Sequence, residues 1–196
     1  MRTVSRLFDS YEHASLAVND LKAAGVPESD ISIVSNNVDK AHDSDGDGVD
    51  DRAEGASAGA GVGATVGGAA GLLTGLGMLA IPGVGPVVAA GWLATTALGA
   101  LAGGAAGGVI GALTQAGVDE EDAHVYAEGV RRGGTLVTVR ADESIASRAD
   151  TILDRAGVAA SSRREAYRES GWSQFDESGP ALSREEIDAE RNRYSI

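Results

Sequence analysis

The stretch "DSDGDGVDDRAE" sets carboxylates at alternate positions: Asp43, Asp45, Asp47, then Gly48, five residues, and Glu54. That is the complete spacing of a calcium loop, D-x-[DN]-x-[DN]-G-x5-E. Ca²⁺ takes about six to eight oxygens, and the glycine at the sixth position permits the sharp bend that gathers them. The candidate ligands are Asp43, Asp45, Asp47, the Val49 carbonyl, Asp51 (directly or through water) and Glu54. Two features depart from a paired EF-hand. Asp50 stands where paired loops carry an apolar residue, and "SNNVDKAH" is too polar and irregular to lead in as an amphipathic helix. The pattern therefore resembles the solitary loops of dockerin-like and thrombospondin-like repeats, with an expected affinity of about 10⁻⁵ to 10⁻³ M. The plain alternative is a solvated acidic linker that keeps a helix start polar, since negative charge there is favourable without metal.

Other chemistry finds no support in the residue pattern. "GAGVGA" (59–64) imitates a dinucleotide loop but follows an acidic segment instead of a strand. His13, His42 and His124 are scattered, and no nucleophile has a base at a useful spacing. Asp119, Glu120, Glu121 and Asp122 look like a charged helix start. No catalytic residue and no small-molecule substrate is indicated, and the expectation is a protein that is not an enzyme. The net charge of −13 opposes nucleic-acid binding, which needs clustered Lys and Arg. There is no cysteine, so no disulfide framework exists. The N-terminus has no apolar run of the signal-peptide kind, so a cytoplasmic location is expected, with membrane association left open by the middle of the chain.

The elements that would hold the loop are legible on both sides of it. "RTVSRLF" (2–8) is strand-like, and Ser10 caps a helix with Ala14, Ala17, Val18, Leu21 and Ala24 on one face. Gly25 and Pro27 end it, and "DISIVS" (30–35) is a second strand. After the middle segment, Asp119 caps a helix through Val130, "TLVTVR" (135–140) is a strand, and "ESIASRADTILDRAG" is a helix, with a weak strand near Val158. The expected fold class is α+β: a ferredoxin-like sandwich with helices on one face, split into residues 1–37 and 115–162. Residues 38–54 form the acidic linker. The polar tail, 163–196, contains the capping box "SREE" (183–186), predicting a short terminal helix. Trp172 and Phe175 precede it and are expected to pin the tail to the domain, a partner-binding segment being the alternative.

Residues 55–117 carry no Asp, Glu, Lys, Arg or His. Glycines recur every fourth residue at Gly55, Gly59, Gly63, Gly67, Gly71 and Gly75, and again at Gly99, Gly103, Gly107 and Gly111, with Gly91 in the same phase. Each glycine costs a helix roughly 1 kcal/mol relative to alanine. The phase instead suggests a face along which another backbone approaches closely. Pro82, Gly83, Gly85 and Pro86 supply a turn signal. The segment, 55–114, is therefore expected to be an antiparallel helical hairpin with arms of roughly 56–80 and 86–115. Each arm is long enough to cross a hydrocarbon core of about 30 Å, although glycine and alanine dominate it. Three settings stay open: insertion in a membrane, close packing in a homo-oligomer, or folding down on its own domain.

Two blocks, "VSRLFDSYEHASLAVNDLKAAGVPESDISIVSNN" and "AGVDEEDAHVYAEGVRRGGTLVTVRADE", resemble the bacterial general-stress (heat-induced stress protein) domain. The landmarks are Gly25, Pro27, Asp30 to Val34, Tyr126, Val130, Gly133, Gly134, Leu136 and Val137. The likeness covers roughly 1–37 and 115–157, and a glycine-rich apolar stretch between such blocks is common in these proteins. Its motifs are structural, and it implies stress association and little mechanism, with no catalytic residues to carry over. Two functions follow as expectations. One is a stress-associated structural protein whose glycine hairpin enters a membrane or assembles with itself. The other is a calcium-responsive module in which Asp43–Glu54 stiffens the junction between domain and hairpin.

Overall fold

The computed structural model describes residues 1–38, 77–96 and 108–194. Its elements are β1 (Arg2–Phe8), α1 (Tyr11–Ala23), β2 (Ile31–Asn36), β3 (Gly77–Ile81), β4 (Gly85–Gly91), α2 (Gly108–Gln115), α3 (Glu120–Arg131), β5 (Thr135–Ala141), α4 (Glu143–Leu153), α5 (Ala160–Glu169) and α6 (Arg184–Tyr194). The α+β class holds. Five strands form one sheet in the order β1-β5-β2-β4-β3, every neighbouring pair antiparallel. The two blocks that flank the uncharged segment thus supply adjacent strands, with Val4 opposite Val139 and Ile33 opposite Val137.

Helix caps behave as their residue types dictate. Ser10 Oγ accepts the His13 N–H at 3.2 Å and Asp119 Oδ1 accepts the Glu121 N–H at 2.9 Å. Each satisfies a backbone donor that has no partner inside its helix. The apolar stripe of α1 (Ala14, Ala17, Val18, Leu21) is buried together with α4 against Val4, Phe8, Ile31, Ile33, Val137 and Val139. Leu7, Val34 and Leu136 belong to a second core, shared with α2, α3 and α5. Successive strand residues point to opposite faces, so the two cores lie on opposite sides of the sheet. This corrects the one-faced ferredoxin-like arrangement: helices cover both faces. The reason is that β5 and β2 are apolar on both sides, as Leu136 beside Val137 and Ile33 beside Val34 require.

A larger correction concerns the uncharged segment. Residues 77–91 are not the ends of two helical arms but a β-hairpin on the sheet, β3 paired with β4. Its turn is dictated by Pro82 and Gly83: Val84 N–H donates to the Ile81 carbonyl at 3.1 Å, and Gly83 takes φ +73°. Proline then glycine at the two central positions is the signature of a type II turn. Val87, Ala89 and Val84 enter the core under α2 and α3. A helical turn follows at 92–96, and α2 covers 108–115, within the predicted second arm. The weak strand near Val158 is present as a two-way backbone bridge to Leu7, 3.0 and 2.7 Å.

Candidate functional site

All six calcium-ligand positions, Asp43, Asp45, Asp47, Val49, Asp51 and Glu54, lie outside the described residues. So do Gly55, Gly59, Gly63, Gly67, Gly71, Gly75, Gly99, Gly103 and Gly107. Among the described residues no cluster of three or more His, Asp or Glu could hold a metal, and no helix among them is long and apolar enough to cross a membrane.

Two of the predicted packing glycines are described. Gly91 closes β4 at φ +87°, and a Cβ there would stand 2.2 Å from the Ile31 carbonyl oxygen. It does let another backbone come close, but across a strand pair and not along a helix seam. Gly111 sits half-buried in α2.

The approach to the acidic loop is well anchored. Asn37 N–H donates to the Pro86 carbonyl at 2.9 Å, and Val38 N–H donates to Asn36 Oδ1 at 2.9 Å. Asn36 Nδ2 in turn donates to the Val130 carbonyl at 3.1 Å, tying the end of β2 to the end of α3. Arg184, at the start of α6, donates to the Val38 carbonyl at 3.4 Å.

Around the C-terminal end of α3 the structure gathers charged residues that sequence reasoning passed over. Glu128 is 1% exposed. Its carboxylate accepts from Arg132 Nε at 2.6 Å and from Arg131 at 3.4 Å. Arg132 also bonds Glu190 of α6 at 2.6 Å, and its guanidinium lies 4.4 Å from the centre of the Tyr167 ring of α5. Burial alone would lower the Arg132 pKa, but Glu128 and Glu190 outweigh it and hold the group above its ordinary value. Arg163 pairs with Asp9 beside it. Asp9, Arg132, Arg163, Tyr167, Glu190 and Arg191 line a cavity of about 20 Å³, room for about one water. A buried charge is tolerated only when paired and hydrogen-bonded, and Glu128 with Arg132 satisfies that condition. Chemically it is a clasp: its arginines hold carboxylates, carbonyls and a ring.

The clasp fastens the tail. Ile187 of α6 is fully buried, Phe175 is 4% exposed, and Trp172 packs edge-on to Tyr167 at 5.8 Å. The tail therefore docks on the domain through these aromatics. The predicted capping box is formed, Ser183 N–H to Glu186 at 2.8 Å and Glu186 N–H to Ser183 Oγ at 3.3 Å. Those bonds lower the Glu186 pKa. The tail also crosses the hairpin turn so closely that a Cβ on Gly83 would be 2.6 Å from the Asp176 carbonyl oxygen. One signal for the clasp was present: Glu128 and Arg132 are four apart, facing neighbours on a helix. Their burial was not readable, because it arises where α3, α5 and α6 meet.

The family described as the heat induced stress protein YflT domain matches residues 3–82. The likeness to general-stress proteins is therefore upheld over that span, which is less than half of the chain. It runs through the acidic loop and the first glycine run to the end of β3, and stops short of the second block at 115–157. No curated protein and no solved structure matches the chain.

Proposed function

We propose that this is a stress-associated structural protein whose uncharged glycine-rich segment drives assembly with further copies of itself. The observation that carries the reading is the β-hairpin at 77–91. Part of the uncharged segment is built into the sheet, and residues 55–76, with the first glycine run, immediately precede β3 in the sequence. Glycine every fourth residue favours close backbone approach between partners. The match to the heat-induced stress family supports the setting, and the clasp supports a structural role because its charged groups hold the tail in place.

Light scattering on the eluting full-length protein tests this, together with fractionation of lysate. Assembly larger than a monomer is expected without detergent, dispersed by Gly63→Ile with Gly67→Ile. A monomer at every concentration would sink the proposal. Recovery only with membranes would favour insertion in lipid instead.

A second reading rests on the complete loop spacing from Asp43 to Glu54. In it, Ca²⁺ stiffens the chain just beyond the anchored Asn36–Val38 turn. Calorimetry should show metal binding that is lost in Asp45→Ala. No heat at millimolar Ca²⁺ would remove the site.

A further inference from the structure

The two edges of the sheet are built differently. At β1 the edge is closed: Leu7 exchanges both backbone bonds with Val158, and Arg2 and Arg6 are held by Asp150 and Asp154. Charged side chains and extra backbone cover are the usual means of keeping an edge from pairing with another chain. At β3 neither device is present among the described residues. "GMLAI" has no charge and no proline, and among the described residues no strand lies beyond it.

The hydrogen-bonding phase of that edge can be worked out. Asn37 N–H bonds the Pro86 carbonyl, so Pro86 directs its backbone polar groups toward β2. Alternation then directs Gly85, Val87 and Ala89 toward β3, where they face Ile81, Leu79 and Gly77. The N–H and C=O groups of Met78 and Ala80 consequently point away from the sheet. Those of Gly77, Leu79 and Ile81 are spent on β4. The open edge is symmetric about Leu79.

We infer that β3 pairs antiparallel with β3 of a second copy, across a two-fold axis at Leu79, joining two five-stranded sheets into one. Met78 exchanges hydrogen bonds with Ala80 of the other copy, and Ala80 with its Met78. A second copy is the fitting occupant for two reasons. An isologous contact demands a self-complementary patch, and this five-residue edge is one. Two copies each carrying −13 would repel, yet β3 lies within the 55–117 segment that carries no charge at all. The pairing is independent of the glycine runs, so it can stand or fall apart from the assembly proposed above.

The chain has no cysteine, which allows a direct test. In the proposed register Leu79 faces its own copy as a non-hydrogen-bonded pair, with Cα atoms about 4.5 Å apart. That separation is within the range a disulfide can bridge. Oxidised Leu79→Cys should therefore run as a covalent dimer, and Ala80→Cys, which faces Met78, should not. Ala80→Pro removes only an outward N–H and should leave the fold's melting transition in place while shifting light scattering to a smaller species. Ala80→Lys, an exposed position, should do the same by placing like charges at the edge. Equal crosslinking at 79 and 80, or undiminished assembly in both Ala80 variants, would overturn the pairing. So would a large loss of melting temperature in Ala80→Pro, since the edge would then be covered by the chain itself. If Gly63→Ile with Gly67→Ile disperses the protein and the Ala80 variants do not, assembly runs through the glycines and β3 is no interface. The reverse pattern supports β3 pairing and removes the glycine seam.

Discussion

Ile187→Ala probes whether the tail is part of the fold or an appendage lying on it. Ile187 is fully buried on a helix that is otherwise polar. The change removes three carbons, each contributing about 0.8 kcal/mol when buried, so the transfer loss alone is roughly 2.4 kcal/mol. The void left behind is walled by backbone. Gly133 lies so close that a Cβ on it would be 2.5 Å from Ile187 Cγ2, and Arg191 Nε donates to the Gly133 carbonyl at 3.3 Å. Backbone at φ +94° does not collapse into a cavity. The total should therefore reach about 3 kcal/mol, inside the usual range of about 2–5. For a chain of this size that lowers the melting temperature by about 6–12 °C. Urea unfolding followed by circular dichroism gives the first number, and limited proteolysis reports whether residues after Trp172 become cleavable. Leu16→Ala, at an exposed position, should stay within about 0.5 kcal/mol. A loss below about 1 kcal/mol with an unchanged digestion pattern would refute the idea that the tail is structurally integral.

Two contrasts follow from the same geometry. Gly133→Ala and Gly25→Ala both place a side chain at positive φ, a strain of about 1–2 kcal/mol. Only at Gly133 does the new methyl meet neighbours, so it should cost more in urea unfolding, and the excess should shrink in the Ile187→Ala background. Tyr126 supplies a pH signature. Its hydroxyl donates to the Ser5 carbonyl at 2.7 Å, and burial pushes its pKa up to about 12. The unfolded chain ionises first, near the ordinary tyrosine value of about 10, so this contribution is complete below that pH and lost as pH rises toward 12. The loss is about 2–3 kcal/mol, and Tyr126→Phe should flatten the alkaline limb of stability against pH. An equally steep limb in the variant would assign it to other groups.

Where local signals agreed, the sequence was a sound guide. Helix α1 has a serine cap, an apolar stripe and a glycine stop. Strand β5 alternates Leu136, Thr138 and Val137, Val139 between two covered faces. The error at 77–91 has an identifiable cause: glycine spacing was given more weight than β-branched content. The four-residue phase breaks at Leu79 and Val87, where glycine would have been due, and Pro82–Gly83 sits between two short apolar runs, the second carrying Val84, Val87 and Val88. Those are hairpin signals, but a short apolar run does not by periodicity alone separate strand from helix. The helices on both faces were missed for a related reason. The second face is built by α2, α3 and α5, and the tail that completes it contributes Tyr167 and Phe175 from a segment of polar composition.

The topology constrains what the glycine segment can do. β2 and β3 are both antiparallel to β4, so they run parallel, and residues 39–76 must carry the chain from the end of one strand back to the start of the other. Both ends of that connection are fastened: Asn37 to Pro86 at one, and the β3–β4 ladder at the other. Insertion of that segment into a bilayer would bring the β3 edge to the membrane surface, with net charge −13 close to anionic lipid, an arrangement that electrostatics opposes. Assembly between copies has no such conflict along the uncharged stretch. Val38, five residues before Asp43, is itself held by Arg184 of the clasped tail.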